Sequence, residues 1–119
     1  MLGDLAFLHD QNGLVIGPDE AVPDLCFVVV DNHGGGIFGS LEQADEAFAD
    51  VYERVFATPV DTDIRQVLSS HGVQVFDDPD IQVALAAASA AEGLSAVVVG
   101  PVSRDEEAAL YRQIGQALG

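Results

Sequence analysis

The chain contains no lysine and no tryptophan, one cysteine and one methionine, and its four arginines face 20 acidic residues. A single cysteine excludes a disulfide framework and a cysteine-based zinc site within the chain. Cys26 lies inside an apolar run, where the expected role is that of a small buried hydrophobe. The formal charge of −16 repels the phosphates of nucleic acid and anionic lipid at long range, so neither is expected as a partner. Long apolar runs are missing too. LCFVVV at 25–30 and LSAVVVG at 94–100 have strand length, well short of the ~20 residues of a membrane-spanning helix. No basic and apolar leader with a small-residue cleavage site opens the chain, so no signal peptide is read. Membrane insertion is not expected, and a cytoplasmic location is. Met1 stands directly before LGDL, where a strand should run, and that abrupt start reads as a truncation.

What is present suits one small α/β domain or a piece of a larger one: 119 residues, 49% of them hydrophobic. Residues 6–16 predict a short helix anchored by Phe7, Leu8, Leu14 and Val15 and ended by Gly17-Pro18. LCFVVV reads as a parallel strand covered on both faces. A glycine loop at 34–36 follows, then a helix from about Ala44 to Phe56, stopped by Thr58-Pro59. A second helix over about 63–71 ends at Gly72, and VQVF at 73–76 reads as a short strand. Asp77 to Pro79 supplies turn and cap chemistry for an alanine-rich helix of about 80–92, closed by Gly93. LSAVVV is the next buried strand, and Ser103 with Glu106 forms a capping box that opens a last helix to Leu118. Strands alternating with helices predict a parallel sheet with helices on both faces.

Two stretches stand out, GDLAFLHDQNG near the start and VVVDNHGGGIFGSLEQ about one strand–helix–strand unit later. Both fall where strands should end, and in open parallel sheets ligands gather at the carboxyl ends of strands. Asp4 and Asn32 offer hard oxygen atoms, and the glycines permit close backbone approach. Together they suggest a phosphorylated ligand held through a small cation. Backbone N–H groups near Leu5 and Ala6, at a helix start, suit phosphate oxygens.

Gly3-Asp4 followed by the Asn of Asp31-Asn32 resembles the signature of thiamine-diphosphate enzymes, usually GD-G, a spacer, then N-N. The fuller stretches GDLAFLHDQNGL, DNHGGGIFGSLEQ and YERVFATP are similar to the C-terminal, cofactor-binding domain of the SEPHCHC synthases of the menaquinone pathway. The likeness is strongest over 3–59 and weak over 73–119. It implies that residues 1–119 are the C-terminal part of a thiamine-diphosphate-binding domain in a transferase that acts as a carboligase. That enzyme decarboxylates 2-oxoglutarate and adds the succinic-semialdehyde unit to isochorismate. The resemblance further implies Mg²⁺, or Mn²⁺, held by the carboxylate of Asp4, the amide oxygen of Asn32 and the backbone carbonyl of Gly34, with diphosphate oxygens and water completing an octahedron. Gly3, Leu5, Ala6, Gly35, Ile37 and Phe38 complete the cofactor contacts it implies, and Ile37, Phe38 and Leu41 the substrate pocket.

The resemblance places no catalytic residue in this chain. The glutamate that hydrogen-bonds the aminopyrimidine and promotes ylid formation comes from the pyrimidine-binding domain of another subunit, so a homo-oligomer is implied and the chain alone is expected to be inactive. Three departures fall on Asp31, where the first Asn of the pair is usual, on Ala6, where Ser or Thr is frequent, and on Thr58-Pro59-Val60, where the family has TPH. None touches the implied metal side chains.

Other readings account for the remaining polar residues. GGGIFG could suggest a dinucleotide loop, but the acid expected downstream of such a loop is unconvincing. His33 is expected as a loop or supporting residue, because the metal prefers oxygen. His9 and His71 are read as helix-surface or packing residues. Asp77, Asp78 and Asp80 are read as a turn and helix start, with no EF-hand spacing around them. No G-x-S-x-G or Cys–His pairing supports a covalent hydrolase. Another thiamine-diphosphate decarboxylase or carboligase, acetolactate-synthase-like or sulfopyruvate-decarboxylase-like, is the alternative within enzymes. An inert binding or structural module is the alternative outside them.

Overall fold

A computed structural model describes residues 1–35 and 58–103, together with positions 106, 109, 113, 114, 116 and 117. The chain divides into two compact units, Met1–Asp31 with Thr62–Gly100, and Asn32–Asp61 with Pro101–Gly119.

The first unit is a parallel α/β sandwich. Its strands are β1 (Leu2–Gly3), β2 (Leu25–Val30), β3 (Gln74–Val75) and β4 (Leu94–Val99), in the spatial order β1-β2-β4-β3. Every pairing is parallel. β2 and β4 run in register from Leu25↔Leu94 to Val30↔Val99, and Gly3 stands opposite Val30. The helices are α1 (Asp4–Asp10), continued by a 3-10 turn at Gln11–Leu14, α2 (Ile64–Ser70) and α3 (Ile81–Ala90).

Alternation along β4 explains why both faces are covered. Leu94, Ala96 and Val98 point to one side, into a core with Phe7 and Leu14 from the first helical segment, Val29, Val73, and Ile64 and Leu68 of α2. Val97 points to the other side, against Ala84 and Ala88 of α3, with Cys26, Phe76 and Val99 packed around them. Ala84 and Ala88 are four residues apart and share one helix face, and their small side chains let α3 lie close on the sheet. Ser95, on that same face and 1% exposed, donates its hydroxyl to the Ala88 carbonyl at 2.7 Å. The expected parallel sheet with helices on both faces is therefore present.

Local chemistry fixes the helix starts. The Asp63 side chain accepts the Gln66 N–H at 3.1 Å at the head of α2. Asp80 accepts the Gln82 N–H at 2.9 Å at the head of α3. Gly72, φ +78, ends α2, and Gly93, φ +78, precedes β4. In the second unit, the Ser103 hydroxyl accepts the Glu106 N–H at 3.4 Å, the expected capping contact, and the described positions from 106 to 117 are helical.

The first helix departs from expectation. It starts at Asp4 rather than residue 6, and regular α-structure ends at Asp10 rather than 16. Gln11-Asn12-Gly13 is a poor continuation because Asn and Gly favour turns over helix interiors, so the backbone tightens into the 3-10 turn. Phe7 and Leu14 are buried as expected, but Val15 is 71% exposed and anchors nothing. α2 is one residue shorter at each end than read, and β3 spans only Gln74–Val75. α3 stops at Ala90, two residues early. Cys26 is half-buried rather than fully enclosed. The helix expected over 44–56 lies outside the described residues. No helix among the described residues is long and apolar enough to cross a membrane.

Candidate functional site

The parallel pair β1–β2 sets the position of both unusual stretches. Because Gly3 is level with Val30, the chain leaves the two strands at the same sheet end, through Asp4 on one and Asp31 on the other. Both side chains are buried, Asp4 at 2% and Asp31 at 7% exposure. Burying a carboxylate is costly unless partners or a cation compensate it, and both residues are engaged by their surroundings. Asp4 Oδ1 accepts the N–H of Leu5 at 2.7 Å. That donor is one of the two expected for phosphate oxygens, so Leu5 spends it on the neighbouring carboxylate while Ala6 sits exposed on the helix surface.

Gly3 precedes the helix in extended backbone, φ −81 and ψ 166, which any residue adopts. Nothing lies within 4 Å of the place a Cβ would take there. The glycine therefore leaves open space beside the strand end.

Asp31 is tied to the sheet by its N–H, which donates to the Val99 carbonyl at 2.8 Å, one step past the end of β2. The second unit begins at Asn32. Asn32 is half-buried and its Oδ1 is shielded from solvent. His33 has φ +56 and Gly34 φ +136. The first is tolerated by histidine, while the second is open in practice only to glycine. Gly34 and Gly35 are both buried. The His33 carbonyl accepts the Val60 N–H at 3.3 Å, which fastens this turn to the segment after Pro59. His33 itself is an exposed loop residue, His9 is exposed on α1, and His71 caps the end of α2. Asp78 accepts the Asp80 N–H at 2.8 Å, so the acidic turn forms the expected helix start.

The donor chemistry fits a hard divalent cation. The residues singled out offer one buried carboxylate, one amide oxygen and one glycine carbonyl, all oxygen donors suited to Mg²⁺. Among the described residues no group of three or more His, Cys, Asp or Glu side chains forms a metal cluster. Three such donors would leave half of an octahedron open to other oxygen ligands. Gly36, Ile37, Phe38 and Leu41 lie outside the described residues, so the expected pocket wall has no described counterpart.

Gly100 escaped the reading of the sequence. It follows β4 directly, has φ +145, and a Cβ there would stand 2.3 Å from the Asp31 carbonyl oxygen. The signal was available: a glycine ending a buried parallel strand, at the sheet end where both motifs emerge. Beside it, at the carboxyl end of β4, a cavity of about 200 Å³ is lined by Arg65, Phe76, Asp77, Asp78 and Gly100 among others.

No protein-family model matches the chain. It is 53% identical over 74 residues, 62% of its length, to the 2-succinyl-5-enolpyruvyl-6-hydroxy-3-cyclohexene-1-carboxylate synthase of Saccharopolyspora erythraea. It is 55% identical over 73 residues, 61% of its length, to the synthase of the same name from Thermobifida fusca. To that of a Nocardioides species it is 50% identical over 70 residues, 59% of its length. The matched part makes up 13% of each of these relatives. The resemblance carried by GDLAFLHDQNGL and DNHGGGIFGSLEQ is thus borne out, and the chain is similar to a short stretch of the 2-succinyl-5-enolpyruvyl-6-hydroxy-3-cyclohexene-1-carboxylate synthases, the enzymes abbreviated SEPHCHC synthases.

Proposed function

We propose that this chain supplies the metal-and-diphosphate end of a thiamine-diphosphate site in a SEPHCHC synthase of menaquinone biosynthesis. The observation that carries the reading is the register Gly3↔Val30, which brings the starts of both signature motifs to one end of two adjacent parallel strands. Asp4 and Asn32 hold Mg²⁺ or Mn²⁺ through their side chains, and Gly34 through its carbonyl. The cation would offset the repulsion between the Asp4 carboxylate and the diphosphate. Gly3 keeps the approach to the strand end open. Bound thiamine diphosphate supplies the carbanion chemistry, and the protein positions it.

The substrates of this reading are 2-oxoglutarate, which loses CO₂, and isochorismate, which accepts the remaining four-carbon unit. Ile37, Phe38 and Leu41 belong to the substrate and cofactor wall. The aminopyrimidine end is served by a glutamate from the pyrimidine-binding domain of another subunit, so the working enzyme is a cytoplasmic homo-oligomer and the 119-residue chain alone is inactive.

The test mixes the full-length polypeptide, as encoded, with thiamine diphosphate, Mg²⁺, 2-oxoglutarate and isochorismate, and follows isochorismate loss. Turnover of about 1 s⁻¹ or more, the low end of ordinary enzymes, is expected for it and none for the 119-residue chain. No consumption by the full-length polypeptide contradicts the substrate assignment. Turnover near that rate by the short chain contradicts the division of labour between subunits.

A further inference from the structure

The geometry points to Gly100 as a positioning residue for Asn32, acting through the backbone of Asp31; the inference rests on the metal-and-diphosphate reading. β4 ends at Val99, whose carbonyl accepts the Asp31 N–H at 2.8 Å. The next residue, Gly100, turns at φ +145, a conformation that L side chains rarely adopt. A Cβ on residue 100 would lie 2.3 Å from the Asp31 carbonyl oxygen, 3.2 Å from its carbonyl carbon and 3.1 Å from its Cβ. Two of these three atoms are backbone, so no flexible side-chain end is there to swing aside.

The Asp31 carbonyl is one half of the peptide unit whose other half is the Asn32 nitrogen. That unit is planar and stiff. Pushing its oxygen away from residue 100 therefore turns or shifts the whole plane and carries the Asn32 Cα with it. Restoring an ordinary contact asks for a movement on the order of 1 Å, and a misplacement of about that size can cost ~100-fold where geometry is exacting. Mg²⁺ is exacting, since it requires near-ideal octahedral geometry at short distances. Asp31 is thus held by the hydrogen bond its N–H donates to the Val99 carbonyl, in a place that a side chain at 100 would take from it.

A second glycine with positive φ, at the end of α2, makes a control. Gly72 also has positive φ, +78, but nothing lies within 4 Å of where its Cβ would stand. Gly72→Ala carries a backbone penalty without touching Asp31.

The experiment compares the full-length polypeptide with its Gly100→Ala and Gly72→Ala variants in two measurements. The first is the Mg²⁺ concentration that half-saturates thiamine diphosphate binding, read by calorimetry at a temperature where circular dichroism shows each protein folded. The second is amide hydrogen exchange of the metal-free proteins. Gly100→Ala is expected to raise the half-saturating Mg²⁺ by about 10–100-fold and to speed exchange at Asp31 while the β2 and β4 interiors stay protected. Gly72→Ala is expected to keep the unsubstituted values in both. Equal Mg²⁺ requirement in all three proteins, or an equal rise in both variants, overturns the positioning role and leaves the metal reading intact. Cofactor binding by the unsubstituted protein that ignores Mg²⁺ overturns the metal reading and the positioning role with it. A Gly100→Ala protein that does not regain native circular dichroism even in trimethylamine N-oxide also overturns it, because the glycine then supports the whole sheet rather than one turn.

Discussion

The Arg65 guanidinium donates to the Val98 carbonyl at 3.0 Å, reaching from α2 to the carboxyl end of β4. The short partner strand β3 explains the contact. β3 pairs only with Ser95 and Ala96, and its successor Phe76 donates to the Ala96 carbonyl, so the ladder has ended before Val98. Arg65 takes up the carbonyl that the sheet leaves over. The same side chain approaches Asp77 at 3.5 Å, with Asp77 71% exposed.

These two interactions differ in expected weight. A hydrogen bond from a charged donor to a partly buried carbonyl contributes about 1.5–3 kcal/mol, whereas an exposed ion pair contributes about 0–1 kcal/mol. Arg65→Met should therefore lower unfolding stability by more than Asp77→Ala does. Urea denaturation followed by circular dichroism checks the ranking, and equal losses would place the effect in the ion pair.

Leu68 is fully buried between the sheet and α2, among Val29, Ile64 and Ala96. Leu68→Ala should destabilise the first unit by about 2–5 kcal/mol through lost burial and the cavity left behind. A shift of the unfolding midpoint worth less than about 1 kcal/mol, within what a volume-conserving swap costs, would mean that this face of the sheet is loosely packed.

Asn32→Ala removes one proposed metal ligand from a loop and leaves the strands untouched. Metal affinity or activity of the full-length polypeptide should fall by about 10–100-fold, with the thermal transition nearly unmoved. Unchanged cofactor dependence would place the metal at another residue.

The parts of the fold set by local chemistry were legible from residue types. LCFVVV and LSAVVV are β-branched and continuous, and both are strands with the limits read. The cap of α3 is Asp80, one residue beyond the Asp77–Pro79 turn expected to supply it, and Asp63 caps α2. The first helix starts two residues before the expected position, because Asp4 follows β1 directly and opens it. Strand order and register were not legible, since they depend on which faces pack. Val97 against Ala84 and Ala88, and Val98 against the Phe7 side, decide where β4 lies. For the same reason Gly100 went unnoticed: its meaning is a clash with Asp31 across the sheet, 69 positions earlier in the chain. The candidate site was named from the oxygen donors of Asp4 and Asn32 and, for Gly34, from the family resemblance alone. The level of Gly3 with Val30 is the part that only pairing reveals.

The central claim is that Asp4 and the Asn32–Gly34 turn bind a diphosphate through a divalent cation. Calorimetric titration of the full-length polypeptide with thiamine diphosphate, in Mg²⁺ and again in EDTA, tests it most directly. Without a cation, the Asp4 carboxylate and the diphosphate repel each other as like charges. The account predicts binding in Mg²⁺ or Mn²⁺ and its loss in EDTA, restored when excess cation is returned. Equal affinity in Mg²⁺ and in EDTA would contradict it.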